Sequence, residues 1–222
     1  MKTDETTFRL GGDAALSIRP ASLRRNVADV LRAALLDGRF QAGEELSDTR
    51  LANEFSVSRG PVREALLVLA EEGLVVHHQN RGFTVPRLEH RDLVQIGSVR
   101  RPLEVLALEE ARARISAAEL KRLGTLKDEL LATFRQGGLR ACARPDFAFH
   151  SAVWEMTGNP WLQAALKRVA MPYFAYVSAF NLGRRDHSVA LMERMHQGYL
   201  DYLAGKGRES SQDCVTFHLG LE

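Results

Sequence analysis

The sequence predicts a mostly α-helical protein in two parts, with one short β-hairpin at the end of the first part. Apolar residues recur at helical spacing along most of the 222-residue chain. Two runs rich in β-branched and aromatic residues flank turn residues at positions 79–82, which is typical of a hairpin. From His90 onward no strand-like alternation of apolar and polar residues is left. The second part is therefore predicted to be an all-helical antiparallel bundle.

The first part begins with three predicted helices. The apolar stripe of the first helix starts after Ser22, a residue suited to cap a helix N-terminus. Ser47 and Ser58 are suited to cap the second and third helices, which a tight break at residues 56–57 separates. Pro61 lies in the first turn of the third helix, where its missing N–H needs no partner. This pattern predicts a helix-turn-helix.

The hairpin and the bundle follow. Gly73 ends the third helix, residues 74–77 and 83–85 are the predicted strands, and Pro86 closes the hairpin. Helical periodicity then continues to the end of the chain. It is interrupted at Ser116, Gly137, Gly158, Gly183 and Gly205.

Composition excludes several classes of protein. With 45% hydrophobic and 26% charged residues, the chain lies in the globular range and away from disordered sequences. It has no apolar run of about eighteen residues, and its polar first segment lacks the apolar region of a signal peptide. Cys142 and Cys214 are too few for a disulfide framework. We expect a cytoplasmic protein with no membrane partner.

The helix-turn-helix followed by a hairpin is the winged plan, in which the second helix of the motif enters the DNA major groove. Arg59 and Arg63 are one turn apart on that helix and share a face. Ser58 is placed to donate to a phosphate, and Gly60 leaves room for close approach. Arginine is well shaped for bidentate contacts to guanine or phosphate. An isolated pair of arginines is more often only part of a solvent-exposed helix face. The pair alone therefore leaves both DNA contact and simple exposure open.

Three more residues are candidates for DNA contact. Arg81 and Gly82 lie at the hairpin tip, and Arg50 on the second helix is a further phosphate candidate. The whole chain carries a formal net charge of only +2, and residues 1–88 hold 12 Lys+Arg against 12 Asp+Glu. Net charge governs long-range steering, whereas local placement governs docking. We therefore expect modest non-specific affinity for DNA, and binding that depends on a dimer and a matched operator.

The first part resembles the DNA-binding domain of the GntR family of bacterial transcription regulators. The resemblance rests on V-S-R-G-P-V-R-E-A-L at residues 57–66 and on N-R-G-F-T-V at residues 80–85. The family positions that contact DNA match Ser58, Arg59, Gly60, Arg63 and Gly82. Gly60 stands where many relatives carry a hydrogen-bonding side chain, so the base preference at this position does not transfer.

The second part contains one aspartate and three histidines at a spacing typical of a metal site. Asp146 and His150 are one turn apart on a predicted helix, and His196 and His218 fall on two later helices. Helical bundles build metal sites from such ligands on facing helices. This ligand set suits a first-row divalent ion, with Zn²⁺ preferred and Ni²⁺, Mn²⁺ or Fe²⁺ as alternatives. Histidines on helices are more often surface or hydrogen-bonded core residues, so the pattern alone leaves that interpretation open.

The second part resembles the FCD effector domain, the helical ligand-binding module of the FadR-type branch of the GntR family. The resemblance rests on R-x-x-L-E at residues 100–104, D-x-x-F-H at residues 146–150 and G-N-P-x-L at residues 158–162, together with two later histidines. It implies a dimer that senses a small organic acid. It also implies a divalent metal bound by Asp146, His150, His196 and His218.

Arg100 matches the arginine of the family motif and is the candidate partner of an effector carboxylate, with Arg101 as the fallback. A structural ion pair or a solvated side chain is the alternative for Arg100. Relatives often carry larger polar residues where this chain has Gly97 and Ser98. The identity of the effector therefore does not transfer.

The predicted organisation is a flexible leader over residues 1–18, a winged helix-turn-helix domain over 19–86, and a helical effector-binding and dimerisation domain over 87–222. The predicted function is that of a homodimeric repressor, not an enzyme, which binds a palindromic double-stranded operator under the control of a small carboxylate metabolite. Two alternatives stay open. One is a metal-dependent hydrolase or lyase, with Glu193 as the candidate base. The other is a constitutive DNA-binding protein with a structural metal.

Overall fold

The structure is a computed structural model that describes residues 6–8, 16–18, 22–180 and 188–220. Within these ranges the chain is mostly helical, with two small antiparallel sheets. A three-helix domain with a β-hairpin precedes a bundle of helices. The predicted fold class, a winged helix-turn-helix followed by an all-helical bundle, is confirmed.

Two short strands lie within the predicted leader, β1 (Thr6–Phe8) and β2 (Leu16–Ile18). They pair antiparallel, with Thr6 opposite Ile18. No strand is predicted here, because three apolar or β-branched residues are too few to show a pattern. The rest of the leader lies outside the described residues, so its flexibility stays a prediction.

Three helices form the first part: α1 (Ser22–Leu36), α2 (Asp48–Phe55) and α3 (Arg59–Glu71). The apolar face of α1 packs against α3, with Leu31 and Leu66 buried. Ser47 caps α2 as predicted, because its side chain accepts from the backbone N–H of Arg50 at 3.3 Å. Ser56 ends α2 with a φ of 54°, a left-handed conformation that turns the chain into α3.

A three-stranded antiparallel sheet completes the first part, with strands β3 (Glu45–Leu46), β4 (Val76–His78) and β5 (Gly82–Thr84). The strand order is β3-β5-β4, with Leu46 and His77 on opposite sides of Phe83. The hairpin of β4 and β5 is predicted, but it starts later than expected, since Leu74 and Val75 are buried and precede β4. β3 is not predicted, because two residues show no alternation.

Six helices form the described bundle: α4 (His90–Arg112), α5 (Ala117–Gly137), α6 (Ala143–Met156), α7 (Pro160–Phe180), α8 (Val189–Leu203) and α9 (Ser211–Leu219). Their breaks follow the predicted positions. Ser116 and Glu119 form a capping box at the start of α5, and Gly158 and Gly205 adopt positive φ between helices. The predicted break at Gly183 lies outside the described residues. None of the described helices is long and apolar enough to cross a membrane.

The two parts share one continuous hydrophobic core, which runs from α1 and α3 into the bundle. Helix α7 adds polar contacts to this junction. The hydroxyl of Tyr176 donates to the carbonyl of Leu74, and Arg168 Nη1 donates to the carbonyl of Ala70 at 2.9 Å. Because Ala70 lies in the last turn of α3, α7 holds the C-terminal end of that helix.

Candidate DNA interface and metal centre

The first turn of α3 presents three of the predicted DNA contacts, and Arg63 follows one turn later. Ser58 occupies the N-cap position, but its side chain is exposed and makes no capping hydrogen bond. The side chains of Arg59 and Arg63 are 66% and 52% exposed. A Cβ added to Gly60 would meet nothing within 4 Å, so packing inside the protein does not require glycine there. The turn offers a hydroxyl, two guanidiniums and a helix N-terminus to a phosphate or a base edge.

The tip of the wing brings Arg81 and Gly82 to the surface. Asn80 and Gly82 have φ values of 63° and 88°, a left-handed conformation that suits asparagine and glycine. Arg81 lies between them and is exposed. The guanidinium carbon of Arg63 lies 5.9 Å from the ring centroid of Phe83 on β5, which connects α3 to the wing.

Acidic residues neutralise part of this interface. Arg50 Nη2 lies 3.1 Å from Glu44 Oε1. Asp48 lies between two arginines, 3.2 Å from Arg59 Nη2 and 3.6 Å from Arg63 Nη1. Asp48 was not singled out from the sequence, because an acidic residue in the first turn of a helix is explained by the helix dipole alone.

The four predicted metal ligands converge in the bundle core, although they come from three helices. Asp146 and His150 lie on α6, His196 on α8 and His218 on α9. Their ligand atoms lie within 4.8 Å of one another. Two ligand atoms that bind one zinc ion at about 2.1 Å are at most about 4.2 Å apart. The four side chains would therefore have to move together only slightly to bind one ion. The three imidazoles are buried, and Asp146 is 17% exposed.

The hydrogen bonds of His196 favour a cation beside Asp146. His196 Nδ1 lies 2.8 Å from the carbonyl oxygen of Met192, which can only accept, so Nδ1 carries the proton. His196 Nε2 lies 2.9 Å from Asp146 Oδ1, which is also an acceptor. The contact needs either a doubly protonated ring or a metal ion shared by the two groups. A ligating histidine is typically oriented by such a bond from its other nitrogen.

His150 is fully buried, and neither of its ring nitrogens forms a hydrogen bond with the described residues. Its Nε2 lies 3.6 Å from Asp146 Oδ1 and its Nδ1 lies 3.7 Å from Glu104 Oε1. Burial lowers the pKa of His150 and outweighs the attraction of the two carboxylates. The neutral ring keeps a lone pair for a metal ion, whereas two unsatisfied nitrogens in a core are costly without a ligand.

Arg100 forms a buried ion pair with Glu104. Its Nε and Nη2 lie 2.9 and 2.8 Å from Glu104 Oε1, and Trp154 Nε1 donates to Glu104 Oε2 at 2.9 Å. Burial acts to raise the pKa of Glu104, but Arg100, His150 and Trp154 outweigh it and lower this pKa to about 2. Both Nη atoms of Arg100 still lack a hydrogen bond with the described residues. The structural ion pair is therefore present, and the guanidinium keeps spare donors.

Arg101 does not share this position. It lies one residue further along α4, about 100° around the helix, and is half-buried. Within the described part of the chain it takes part in none of the ion pairs or ring contacts around the four ligands.

Tyr199 belongs to the cluster but was not predicted. It is fully buried on α8, and its ring centroid lies 5.2 Å from those of His150 and His218. Its hydroxyl makes no hydrogen bond with the described residues, and burial raises its pKa well above the usual value. One indication in the sequence places Tyr199 near the cluster: it follows His196 by three residues and therefore shares its side of the helix.

Glu193, the candidate base of the enzymatic alternative, lies elsewhere. It is exposed on α8 and lines a surface cleft of about 470 Å³ beside α9. None of the four candidate ligands lines this cleft. Glu193 is therefore not positioned as a base for water bound at the cluster.

Two family models match the chain. The one described as bacterial regulatory proteins, gntR family, matches residues 23–85, and the one described as the FCD domain matches residues 95–221, more than half of the chain. The chain belongs to the GntR family and carries an FCD domain. It is therefore a DNA-binding transcription regulator whose second part is an effector-binding domain.

Several relatives that match along most of the chain are transcription regulators by name. The chain is 27% identical over 190 residues to the uncharacterized HTH-type transcriptional regulator YdhC of Bacillus subtilis, covering 85% of this chain and 84% of the relative. It is 28% identical over 204 residues to the HTH-type transcriptional regulator McbR of Escherichia coli, covering 90% of each. It is 29% identical over 191 residues to the gluconate operon transcriptional repressor of Bacillus subtilis, covering 85% and 78%.

Solved structures agree on the fold. The structure of McbR/YncC from Escherichia coli superposes on this chain with a TM-score of 0.71 at 24% identity, covering 90% of this chain and 94% of the other. A regulator from Rhodococcus sp. RHA1 gives a TM-score of 0.68 at 24% identity, covering 88% and 91%. At this level of identity the likeness concerns the fold.

Proposed function

We propose that this protein is a homodimeric repressor whose affinity for a palindromic operator is controlled by a small organic acid, bound at a divalent metal ion in the FCD domain. The observation that carries the proposal is the buried cluster of three imidazoles and a carboxylate beside an arginine with spare donors. The residues proposed to contact DNA are Ser58, Arg59, Gly60, Arg63, Arg81, Gly82 and Arg50.

A divalent metal ion would satisfy buried polar atoms of the cluster. His150 would donate a lone pair to it, and His196 and Asp146, whose facing atoms Nε2 and Oδ1 are both acceptors, would be ligands as well. Three imidazoles and one carboxylate favour Zn²⁺ and are compatible with Ni²⁺, Mn²⁺ or Fe²⁺. When bound, such an ion supplies Lewis acidity and one or two open coordination positions.

The charges around the cluster favour a carboxylate as the effector. Arg100 and Glu104 cancel, so Asp146 and a divalent ion would leave one uncompensated positive charge in the core. A carboxylate would balance it, and its second oxygen could accept from the Nη donors of Arg100 and from the hydroxyl of Tyr199. Arg100 is therefore the proposed effector contact, and Arg101 is not.

Helix α7 supplies a physical link between the cluster and the DNA-binding domain. The rings of Tyr173 and Phe174 on α7 lie 5.0 and 4.6 Å from the guanidinium carbon of Arg100. From the same helix, Arg168 and Tyr176 donate to carbonyls at the end of α3 and just after it. An effector that rearranges Arg100 would act on α7 and so on α3. Control requires that the effector binds the two arrangements with different affinity.

Exposed apolar side chains on α4 support the dimer. Val99 and Leu106 lie two helical turns apart on one face of α4 and are 51% and 42% exposed, and a second copy of the chain would cover them. A two-fold protein in turn requires a palindromic operator. The similarity to the gluconate operon transcriptional repressor supports repression. A chromosomal target in a bacterium implies the cytoplasm.

Metal content tests the first half of the proposal. The native chain, His150→Gln and His90→Gln are dialysed against metal-free buffer, and bound metal is measured by mass spectrometry. His90 is an exposed histidine at the start of α4 and serves as the matched control. The native chain and His90→Gln are expected to retain about one ion per chain, the stoichiometry of a single four-ligand site, and His150→Gln to retain none. Folded protein without metal in all three would contradict the site.

Operator binding tests the second half. The native chain selects duplexes from a randomised library, and fluorescence anisotropy then measures its affinity for the selected duplex with acetate, lactate, gluconate or citrate. One acid is expected to change the affinity by about 5- to 150-fold, and the change should vanish with EDTA. If no acid changes the affinity and EDTA melts the bundle, the protein is instead a constitutive DNA-binding protein with a structural metal.

A further inference from the structure

Asp48 joins the two exposed arginines of α3 to the start of α2. Its Oδ1 lies 3.2 Å from Arg59 Nη2, and its Oδ2 lies 3.6 Å from Arg63 Nη1. The side chain of Asp48 is only 14% exposed, against 66% for Arg59 and 52% for Arg63. One largely covered carboxylate thus holds two exposed cations on the face that a helix-turn-helix turns toward DNA.

We propose that Asp48 is a positioning residue that sets the sequence selectivity of DNA binding. The inference rests on the proposed DNA contacts of Arg59 and Arg63. Asp48 acts through these two side chains in two ways. It fixes the positions of the two guanidiniums, and it cancels one of their two charges.

Fixed positions favour correct base contacts. A guanidinium has five N–H donors, and the contact with Asp48 uses one nitrogen of each arginine. The other donors stay available for a bidentate contact to guanine or phosphate. Because Arg59 and Arg63 share one anchor, they lose rotamer freedom before DNA arrives, and less entropy is lost when a matching base is met.

The charge of Asp48 also increases the preference for the correct sequence over other sequences. Together with Arg59 and Arg63 it leaves one net positive charge next to the DNA backbone instead of two. Non-specific affinity depends on phosphate neutralisation, whereas base recognition depends on placement. Asp48 therefore lowers the affinity for every sequence while it preserves contacts to the correct one. The balance of 12 Lys+Arg and 12 Asp+Glu over residues 1–88 is consistent with this form of discrimination.

Glu54 provides a matched control. It lies on the same helix as Asp48 and is 57% exposed, and it pairs with Arg50 at 3.7 Å. Glu54→Gln removes one negative charge near the same surface, as Asp48→Asn does. It leaves the contacts of Arg59 and Arg63 intact.

The test compares four proteins, native, Asp48→Asn, Asp48→Glu and Glu54→Gln, on the selected operator duplex and on a shuffled duplex of equal length and composition. Asp48→Asn is expected to bind the shuffled duplex more tightly, with a salt slope steeper by about one. Its ratio of operator to shuffled affinity is expected to fall about fivefold. Asp48→Glu keeps the charge but displaces the carboxylate, so it should keep the native affinity for the shuffled duplex and lower the ratio. Glu54→Gln should strengthen both affinities equally.

Two results would overturn the inference. One is an equal gain in affinity for the operator and the shuffled duplex in Asp48→Asn, which would show that Asp48 acts only through its charge. The other is a native ratio for Asp48→Glu, which would remove the positioning effect. Thermal melts establish that each variant is folded. A native chain that selects no sequence overturns both this inference and the proposed operator binding, whereas a normal selection with unchanged ratios overturns only this inference.

Discussion

At the start of α3, Arg59 and Arg63 are 66% and 52% exposed and share the carboxylate of Asp48 at 3.2 and 3.6 Å. In the bundle core, Arg100 and Glu104 are both 0% exposed and meet at 2.8 Å. An exposed pair of this kind contributes about 0–1 kcal/mol to stability. Removing one partner of a buried pair costs about 3–5 kcal/mol. Both regions thus pair arginine with a carboxylate, but the arginines of α3 are exposed to solvent and Arg100 is buried.

The difference shows how solvent decides what an arginine can do. The exposed arginines keep their hydration until another partner replaces it, so they are available for recognition and matter little to folding. Arg100 has already lost its water, so each spare donor must meet a ligand or stay unsatisfied. The exposed site is therefore suited to reversible DNA contact, whereas the pairing of the buried charges contributes to the stability of the core.

The largest expected effect is on the buried pair. Arg100→Leu should lower the free energy of unfolding by about 3–5 kcal/mol, because Glu104 would stay buried without its counterion. Urea denaturation followed by circular dichroism measures the change. The double variant Arg100→Leu/Glu104→Leu should recover most of the loss, since no unpaired charge is left. A loss below about 1 kcal/mol in the single variant would contradict the buried pair.

Arg59→Ala should show the opposite profile. It is expected to weaken binding to the selected operator by about 5- to 150-fold and to leave the free energy of unfolding within about 0.5 kcal/mol of native. Arg122 is the control, an exposed bundle arginine that pairs with Glu155 at 3.4 Å. Arg122→Ala should leave operator affinity unchanged by anisotropy. A similar loss for both variants would show that only overall charge matters.

A smaller effect is expected at the junction between the two regions. Tyr176→Phe removes the hydroxyl that donates to the carbonyl of Leu74 and should cost about 1 kcal/mol of unfolding free energy. Hydrogen exchange of the amides at residues 70–74 should become faster, because α7 holds the end of α3 less firmly. Tyr202→Phe, a buried tyrosine on α8, is the control. Unchanged exchange at residues 70–74 would argue against α7 as the link.

The smallest effect is expected at the two cysteines. Cys142 and Cys214 are 0% and 3% exposed, and burial raises the pKa of each thiol to about 12. The native protein should therefore react hardly at all with a thiol reagent between about pH 7 and pH 9, where both stay protonated. Both should react once the chain is unfolded in guanidinium. Rapid reaction of either in the native state would indicate that the bundle opens there.

The parts of the site that were predicted depend on local patterns. The spacing of Asp146 and His150 places them on one helix face in any helix, and the resemblance added His196 and His218. The capping role of Ser47 follows from its position before an apolar stripe. The parts that were missed depend on distant segments: β3 pairs across the sheet with β5, and Tyr199 is informative only once its burial is known.

By itself the sequence determined the fold class, the family, the order of the elements and the candidate ligands, because periodicity, capping and motif spacing act within single segments. Only the tertiary structure decided which partners the charges meet. It placed Asp48 between Arg59 and Arg63, and it buried Glu104 against Arg100 and Trp154. The physical reason is that burial and charge pairing depend on distances between side chains that no local pattern encodes.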